Sequence, residues 1–241
     1  YLANFDEDLS AWDTSSVTHW SSTFQNAVAF DNGGQPLALD TSSGSRMQSM
    51  FHDADAFNQP LPFDLGAVTS MAYTFKNADA FNQPLLLDTS SVLDMQGLLE
   101  NAASFNQSLV LDTSSVTMMF SMFRSTDAFN QALLLDTSSV GGMHSMLNGA
   151  EAFDQPLAFD VSSVTRMDSM FTGTTALSDC NKRAIEDSLS ASTVWFTWYD
   201  WSDLCTASPT ASPTTASPTT ASPTTASPTT ASPTPSAPPT A

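Results

Sequence analysis

A short phrase recurs along this chain at a fixed spacing. Phe57-Asn58-Gln59-Pro60-Leu61 is followed by related phrases that begin at Phe81, Phe105, Phe129 and Phe153, and each step is 81 − 57 = 24 residues. Two other columns keep the same register: Asp40, Asp64, Asp88, Asp112, Asp136 and Asp160, and Met47, Met71, Met95, Met119, Met143 and Met167. Such a period is typical of one structural unit per copy, stacked on its neighbours. We therefore expect an array of about seven repeats, with two irregular copies first and a short insertion at Asn32-Gly33-Gly34.

The repeat around residues 85–105 shows the expected local structure. Leu85 to Leu87, directly before Asp88, predict a short strand. Val92, Met95, Leu98 and Leu99 follow at the spacing of one helical face, which predicts a helix of about two to three turns. One repeat cannot bury enough apolar surface alone, so neighbours must supply the rest. The sequence thus predicts an α/β repeat solenoid of short parallel strands and short helices, with the methionines in its core.

A family resemblance rests on one recurring pattern. Leu157-x-x-Asp160-x-Ser162-Ser163-Val164-x-x-Met167-x-x-Met170-Phe171 resembles the repeat of the BspA-like leucine-rich-repeat surface proteins. The mycoplasma-lipoprotein type of that repeat, also common in protist and algal genomes, is the most similar, over about residues 1–205. The resemblance implies a solenoid in a cell-surface or secreted setting and implies no activity. Leu65-Gly66-Ala67 in place of Thr-Ser-Ser and Gly44 in place of Val depart from the pattern.

The charge balance excludes some partners. The chain has 6 Lys and Arg against 25 Asp and Glu, a formal net charge of −19. All of these charges precede Thr206, so the repeat part is strongly acidic and nucleic acid is a poor partner. No apolar run is long enough for a transmembrane helix, so we expect no membrane span.

A terminal cap is expected where the repeat pattern stops. Cys180 and Cys205 flank a segment with a helical stretch and a cluster of Trp, Phe and Tyr, which can cover the last apolar face of an array. A disulfide here would close a loop of about 25 residues, stabilise the cap by roughly 3 kcal/mol and indicate an oxidising compartment. Two free buried thiols are the alternative.

The two chain ends give further expectations. The sequence begins at Tyr1 inside what resembles the loop of an earlier repeat, so we expect an uncovered edge near Phe5, covered either by more of a longer chain or by another molecule. The predicted domains are a solenoid at 1–177, a cap at 178–205 and a tail at 206–241.

The tail contains Ala-Ser-Pro-Thr-Thr repeats and cannot build a core. It predicts an extended polyproline II segment of about 110 Å with covalent glycans, and it is similar to the hydroxyproline-rich glycoproteins of algal and plant walls. The expected O-glycosylation sites are Ser208, Pro209, Thr210, Ser212, Pro213, Thr214, Thr215, Ser217, Pro218, Thr219, Thr220, Ser222, Pro223, Thr224, Thr225, Ser227, Pro228, Thr229, Thr230, Ser232, Pro233 and Thr234.

Three polar columns have competing interpretations. The Asp column is expected to form solvated turns with the serines that follow, and a calcium ladder is the alternative. The column Asn58, Asn82, Asn106 and Asn130 is expected to form an internal amide ladder, flanked by Asp31 and Asp154. Asn106-Gln107-Ser108 is the only N-glycosylation sequon, and its place in that ladder argues against occupancy. The Thr column Thr14, Thr41, Thr89, Thr113 and Thr137 raises an ice-binding alternative.

Catalysis is not expected. His19, His52 and His144 occupy different repeat columns, and no nucleophile, acid-base or metal-ligand spacing recurs. We therefore predict no catalytic, cofactor-binding or metal site.

The main functional hypothesis is an extracellular structural glycoprotein, a subunit of a surface layer or of a head-to-tail fibril of identical copies. The alternative is a cell-surface adhesion or recognition module, in which the solenoid face binds a glycan or protein and the tail is a stalk.

Overall fold

The structure is a computed structural model that describes residues 3–190, 192, 194–195 and 199–205, all within the unit Tyr1–Thr206. Its regular elements are a 3-10 helix at Asn32–Gly34, strands β1 (Leu85–Leu87) and β2 (Leu109–Leu111), and helix α1 (Asp179–Leu189). β1 and β2 are parallel and pair residues 24 apart, with Leu85 opposite Leu109. A second series of parallel bridges joins Arg46, Ser70, Asp94, Met118, Gly142 and Arg166 in succession. The predicted strand at 85–87 is therefore present.

The stretch expected to be helical is a run of overlapping turns that bond to the next repeat. The N–H groups of Met95, Gly97 and Leu99 donate to the carbonyls of Met118, Phe120 and Met122 at 2.9–3.0 Å. The N–H groups between them donate locally: that of Leu98 to the Met95 carbonyl at 3.2 Å, and that of Gln96 to Oδ1 of Asp94 at 3.0 Å. Every second N–H thus leaves its own segment, so the bonds of an α-helix are not formed there.

The backbone conformation explains why turns replace the helix. Gly97 has φ 56° and Asn101 has φ 57°, both in the left-handed region that a right-handed helix excludes. The same conformation recurs in two columns, which are Ser22, Ser49, Tyr73, Gly97, Ser121, Ser145 and Ser169, and Asn26, Asp53, Asn77, Asn101, Ser125, Gly149 and Gly173. Asn, Asp and Gly tolerate positive φ better than most residues, so the second column in particular fits turns.

The core consists of matched columns of apolar side chains. The six Met residues from Met47 to Met167 at the 24-residue spacing are at most 2% exposed, which confirms their predicted place in the core. One column of Phe rings stacks from repeat to repeat, with centroids 5.9–6.0 Å apart from Phe30 to Phe153. A second column packs against the first within a repeat, as Phe51 does on Phe57 at 4.0 Å. Each repeat therefore completes its core with the side chains of its neighbours.

Two irregularities of the sequence have local explanations. The insertion forms the 3-10 helix, where the Asn32 side chain accepts from Leu9 N–H at 2.8 Å and donates to the carbonyls of Gln35 and Pro36. Gly44 stands where other repeats have Val because a Cβ there would meet the Trp20 ring at 2.7 Å. The large indole of the irregular repeat thus takes the space of the missing side chain.

The cap is built from α1 and an aromatic cluster. Ser178 is the N-cap residue of α1, and Ile185 and Leu189 are its buried apolar residues. Cys180 in α1 forms a disulfide with Cys205, as predicted. Trp195 is fully buried against Phe171, Tyr199 and Trp201.

The cap also continues the hydrogen bonding of the repeats. The hydroxyl of Tyr199 accepts the N–H of Phe171 at 2.9 Å. In the preceding repeat the equivalent N–H, that of Leu147, donates to the carbonyl of Met170. The tyrosine oxygen thus replaces the carbonyl of a further repeat.

The only α-helix among the described residues has 11 residues, and none there is long and apolar enough to cross a bilayer.

Candidate functional site: an apolar row on the strand face

An exposed apolar row runs along the face that carries the strands. In β1 the side chains of Leu85 and Leu87 are buried while that of Leu86 is 66% exposed. Val110 and Leu134, in the same column, are 64% and 89% exposed. Alternation along an extended segment forces this result, because residues on either side of the central one point into the core. We call the exposed column the apolar row; its members are Ala38, Pro62, Leu86, Val110, Leu134 and Ala158.

Two further exposed rows border the apolar row. Two positions earlier in each repeat lie Pro36, Pro60, Pro84, Ser108, Ala132 and Pro156, which we call the proline row. Two positions later lie Asp40, Asp64, Asp88, Asp112, Asp136 and Asp160, the acidic row. The face therefore presents two largely apolar rows with negative charge along one side only.

The acidic row forms the serine turns that the sequence predicts. Asp112 Oδ1 accepts from the N–H of Ser114 at 3.0 Å and from its hydroxyl at 2.6 Å. At Asp64 the bond from the N–H of Gly66 remains at 3.0 Å, although no serine follows. These turns satisfy one oxygen of each carboxylate without a cation.

Hydrogen bonding lowers the pKa of most carboxyl groups in the acidic row. The hydroxyl of the serine two residues later, and next its N–H, hold the pKa of the carboxyl below its ordinary value at Asp40, Asp88, Asp112 and Asp136, and also at Asp13, which precedes the row. Within the described ranges no group of three His, Cys, Asp or Glu side chains is placed to hold a metal ion. In that part of the chain, the acidic row therefore includes no cluster of side chains that could bind calcium.

The apolar row ends in a groove beside the cap helix. Leu134, Pro156 and Ala158 form one wall, and Ala184 and Ser188 of α1 form the other. The volume of this groove is about 640 Å³. Its size suits a side chain or a small ligand, and its walls are mostly apolar.

The Thr column lies inside the protein. Thr41, Thr89 and Thr113 are 0–2% exposed, and each hydroxyl donates at 2.8 Å to the carbonyl of the aspartate 23 residues later. A buried, donated hydroxyl cannot order water at a surface, so the ice-binding alternative is wrong. The column stabilises the contact between repeats instead.

The amide ladder is present and longer than the Asn column. The N–H of Asn82, Asn106, Asn130 and Asp154 each donates to Oδ1 of the asparagine 24 residues earlier, at 2.9–3.0 Å. Carboxylate oxygens accept equivalent bonds at Asp6, Asp31 and Asp154. The bond to Asp154 is donated by the N–H of Ser178 at 2.8 Å. The series thus extends from the first irregular copy to the N-cap of α1.

The three histidines, from which the sequence predicts no site, have separate contacts. His144 stacks on Phe120 at 4.5 Å, and burial and the nearby Arg166 lower its pKa. His52 contacts Asp53 at 3.6 Å, and His19 pairs with Thr18. The expected O-glycosylation sites from Ser208 to Thr234 lie outside the described residues.

One family matches this chain. The sequence model of the family described as "Mycoplasma protein of unknown function, DUF285" matches residues 1–111 and again residues 109–195. Neither a curated protein nor a solved structure matches the chain.

Proposed function

Because the chain belongs to the DUF285 family, whose description gives no function, we propose that it is an extracellular structural glycoprotein of the BspA-like type. In this proposal the repeats form a solenoid that serves as a subunit of a surface layer or fibril. No catalytic role is part of the proposal.

The bonds between repeats support a solenoid. From Trp20 to Gly149, N–H groups at every second position of the turn segments donate to the following repeat. The amide ladder and the Thr column add side-chain bonds across the same boundaries. Repeats joined in this way form an array in which each unit depends on its neighbours, which gives stiffness suited to a structural element.

The disulfide of the cap is the observation that carries the extracellular setting. Cys180 and Cys205 are bonded, and disulfides of this kind form and persist in oxidising compartments. A closed loop of 25 residues stabilises the cap by roughly 3 kcal/mol in the chain-entropy model.

The apolar row is the surface best suited to contact between copies. The net charge of −19 opposes association of identical chains. Burial of Leu86, Val110 and Leu134 is favourable at about 25 cal/mol per Å². If two copies meet through these faces with their repeats running in the same direction, the acidic row of one copy lies opposite the proline row of the other. The head-to-tail contact expected from the sequence would have to use the outer surface of the cap, since Tyr199 already accepts the bond from Phe171.

Imaging and sedimentation of the full chain test this proposal. We expect filaments or sheets whose amount rises with protein concentration, and we expect Leu134→Ser to weaken them without a change in melting temperature, because Leu134 is 89% exposed. Leu93→Ser is the matched control, since Leu93 is 47% exposed but lies outside the apolar row. A monomer at all concentrations would contradict the proposal.

A second candidate, an adhesion or recognition module, is favoured by the groove beside α1. There the apolar row meets a cavity of about 640 Å³, which the described side chains leave unfilled. In that case the protein would be a monomer with a saturable partner, and Leu134→Ser would weaken binding of the partner and not self-association.

A further inference from the structure

The only N-glycosylation sequon of the chain arises from one change in the repeat. The phrase reads Asn-Gln-Pro at residues 58–60 and 82–84, but Asn106-Gln107-Ser108 has Ser in the proline row. Proline at this position would not give a sequon. A single repeat therefore offers the acceptor sequence for an N-linked oligosaccharide.

The two atoms of the Asn106 carboxamide have different roles. Its Oδ1 accepts from Asn130 N–H and from Gln131 Nε2, both at 2.9 Å. An N-linked glycan is attached through Nδ2 and leaves the oxygen free to accept. The sugar and the amide ladder thus use different atoms, so the ladder does not exclude glycosylation.

The nitrogen of Asn106 reaches solvent. Its Nδ2 donates no hydrogen bond within the described residues, and the buried side-chain nitrogens without a partner there are those of Trp20, His144 and Trp195. Asn106 Nδ2 is not among them, so it is at least partly accessible to water, which fits the half-buried side chain. Ser108 is exposed and Asn106 is half-buried, so both residues of the sequon have surface that solvent can reach.

The middle residue of the sequon is also less constrained than its equivalents. Gln83 and Gln131 donate their side-chain amides back to Asn58 and Asn106 of the preceding repeats. Gln107 makes no such bond within the described part of the chain. A substituent on Asn106 therefore displaces no side-chain contact of its neighbour.

We propose that Asn106 carries an N-linked oligosaccharide at the edge of the strand face, with its Oδ1 still accepting the bonds of the amide ladder. The inference rests on the proposed extracellular function, because the modification needs passage through a secretory pathway. The sugar would stand two positions from the proline row and would border the centre of the apolar row at Val110.

The test directs the full chain through a eukaryotic secretory pathway with an added signal sequence. Peptide mapping before and after enzymatic removal of N-glycans then identifies modified asparagines by their conversion to aspartate. We expect conversion at Asn106 in the parent chain and its loss in Ser108→Ala, which keeps the carboxamide. Pro84→Ser is the matched gain-of-site variant, since it creates the same sequon at Asn82, whose nitrogen likewise donates no bond among the described residues.

Two outcomes would overturn the proposal. One is that Asn106 is unmodified in the secreted parent chain although a control sequon is modified. The control is either Asn82 in the Pro84→Ser variant or a sequon added at the C-terminus. The other is a glycan on Asn106 that gives the parent chain a lower melting temperature than the unglycosylated Ser108→Ala variant, because the folded state would then not accommodate the sugar while the ladder bonds are kept. Absence of the native protein from extracellular fractions would instead refute the proposed function, and the forced-secretion result would still decide the modification site.

Discussion

The amide ladder gives a prediction whose size follows from the number of bonds at each position. Asn82 Oδ1 accepts one bond, from Asn106 N–H at 3.0 Å, whereas Asn106 Oδ1 accepts two, from Asn130 N–H and Gln131 Nε2 at 2.9 Å. In Asn82→Ala the Asn106 N–H loses its acceptor. An unsatisfied buried donor costs about 1–3 kcal/mol, and partial access to water favours the lower half of that range.

Asn106→Ala should cost more than Asn82→Ala. Loss of the second bond lowers the free energy of unfolding by about 0.5–1.5 kcal/mol more. For a unit of this size each kcal/mol lowers the melting temperature by about 2–4 °C. Asn82→Asp is the matched control, because Asp154 accepts the same kind of bond from Ser178 N–H at 2.8 Å.

The assay combines thermal unfolding, followed by circular dichroism, with hydrogen exchange. We expect stability to fall in the order parent, Asn82→Asp, Asn82→Ala and Asn106→Ala, with the first two close together. Exchange should accelerate at the amide of Asn106 in Asn82→Ala and stay slow in Asn82→Asp. Equal losses in the alanine and aspartate variants, or an unchanged exchange rate at Asn106, would refute the role given to the carboxamide oxygen.

Three further predictions test the turns, the positive-φ columns and the cap. Ser114→Ala should raise the pKa of Asp112 towards its ordinary value, because the serine hydroxyl is the main cause of the lowered pKa. A carboxyl whose pKa is lower in the folded state stabilises the protein above the unfolded pKa, and this stability is lost as pH falls through the folded pKa; the variant should therefore lose part of it above that window. An unchanged Asp112 titration by NMR would contradict the assignment. Gly97→Ala should destabilise by about 2 kcal/mol or more in chemical denaturation, since its Cβ would overlap the Tyr73 ring and its φ is 56°; an equally stable variant would show that the ring moves freely. Reduction of the cap disulfide should lower stability by roughly 3 kcal/mol and move the fluorescence of Trp195, now fully buried, to longer wavelength, whereas an unchanged spectrum and midpoint would mean that the cap holds without it.

The sequence predicts those features that depend on what each column contains. The methionine core, the strand at Leu85–Leu87 and the bond between Cys180 and Cys205 follow from spacing and residue type, and the structure has all three. The amide ladder follows for the same reason, because a half-buried column of asparagines can satisfy its carboxamide oxygens with the N–H groups of the next repeat.

The helix within each repeat could not be decided from hydrophobic spacing. Val92, Met95 and Leu98 fit one face of a helix, but a series of turns with bonds three residues back has nearly the same period. The useful signal was the column around Asn101, where Asn, Asp, Ser and Gly recur and no strong helix former does. Positive φ at that column separates the two structures.

The apolar row and the free nitrogen of Asn106 required the structure. The three residues of β1 are all leucines, so residue type does not distinguish them. Only the orientation of each side chain shows that Leu86 is exposed. Likewise, the sequence places Asn106 in the ladder but does not say which atom of its carboxamide is used. Orientation, and not composition, decides both surfaces.

The uniform bonding between repeats has a consequence for how such a gene can change. Because each 24-residue unit donates and accepts at the same positions, duplication or loss of one whole unit leaves every remaining junction intact, so the number of repeats is free to vary during evolution. Insertions of other sizes break the register unless they are looped out, as happens at Asn32–Gly34. Relatives should therefore differ mainly in their number of whole units.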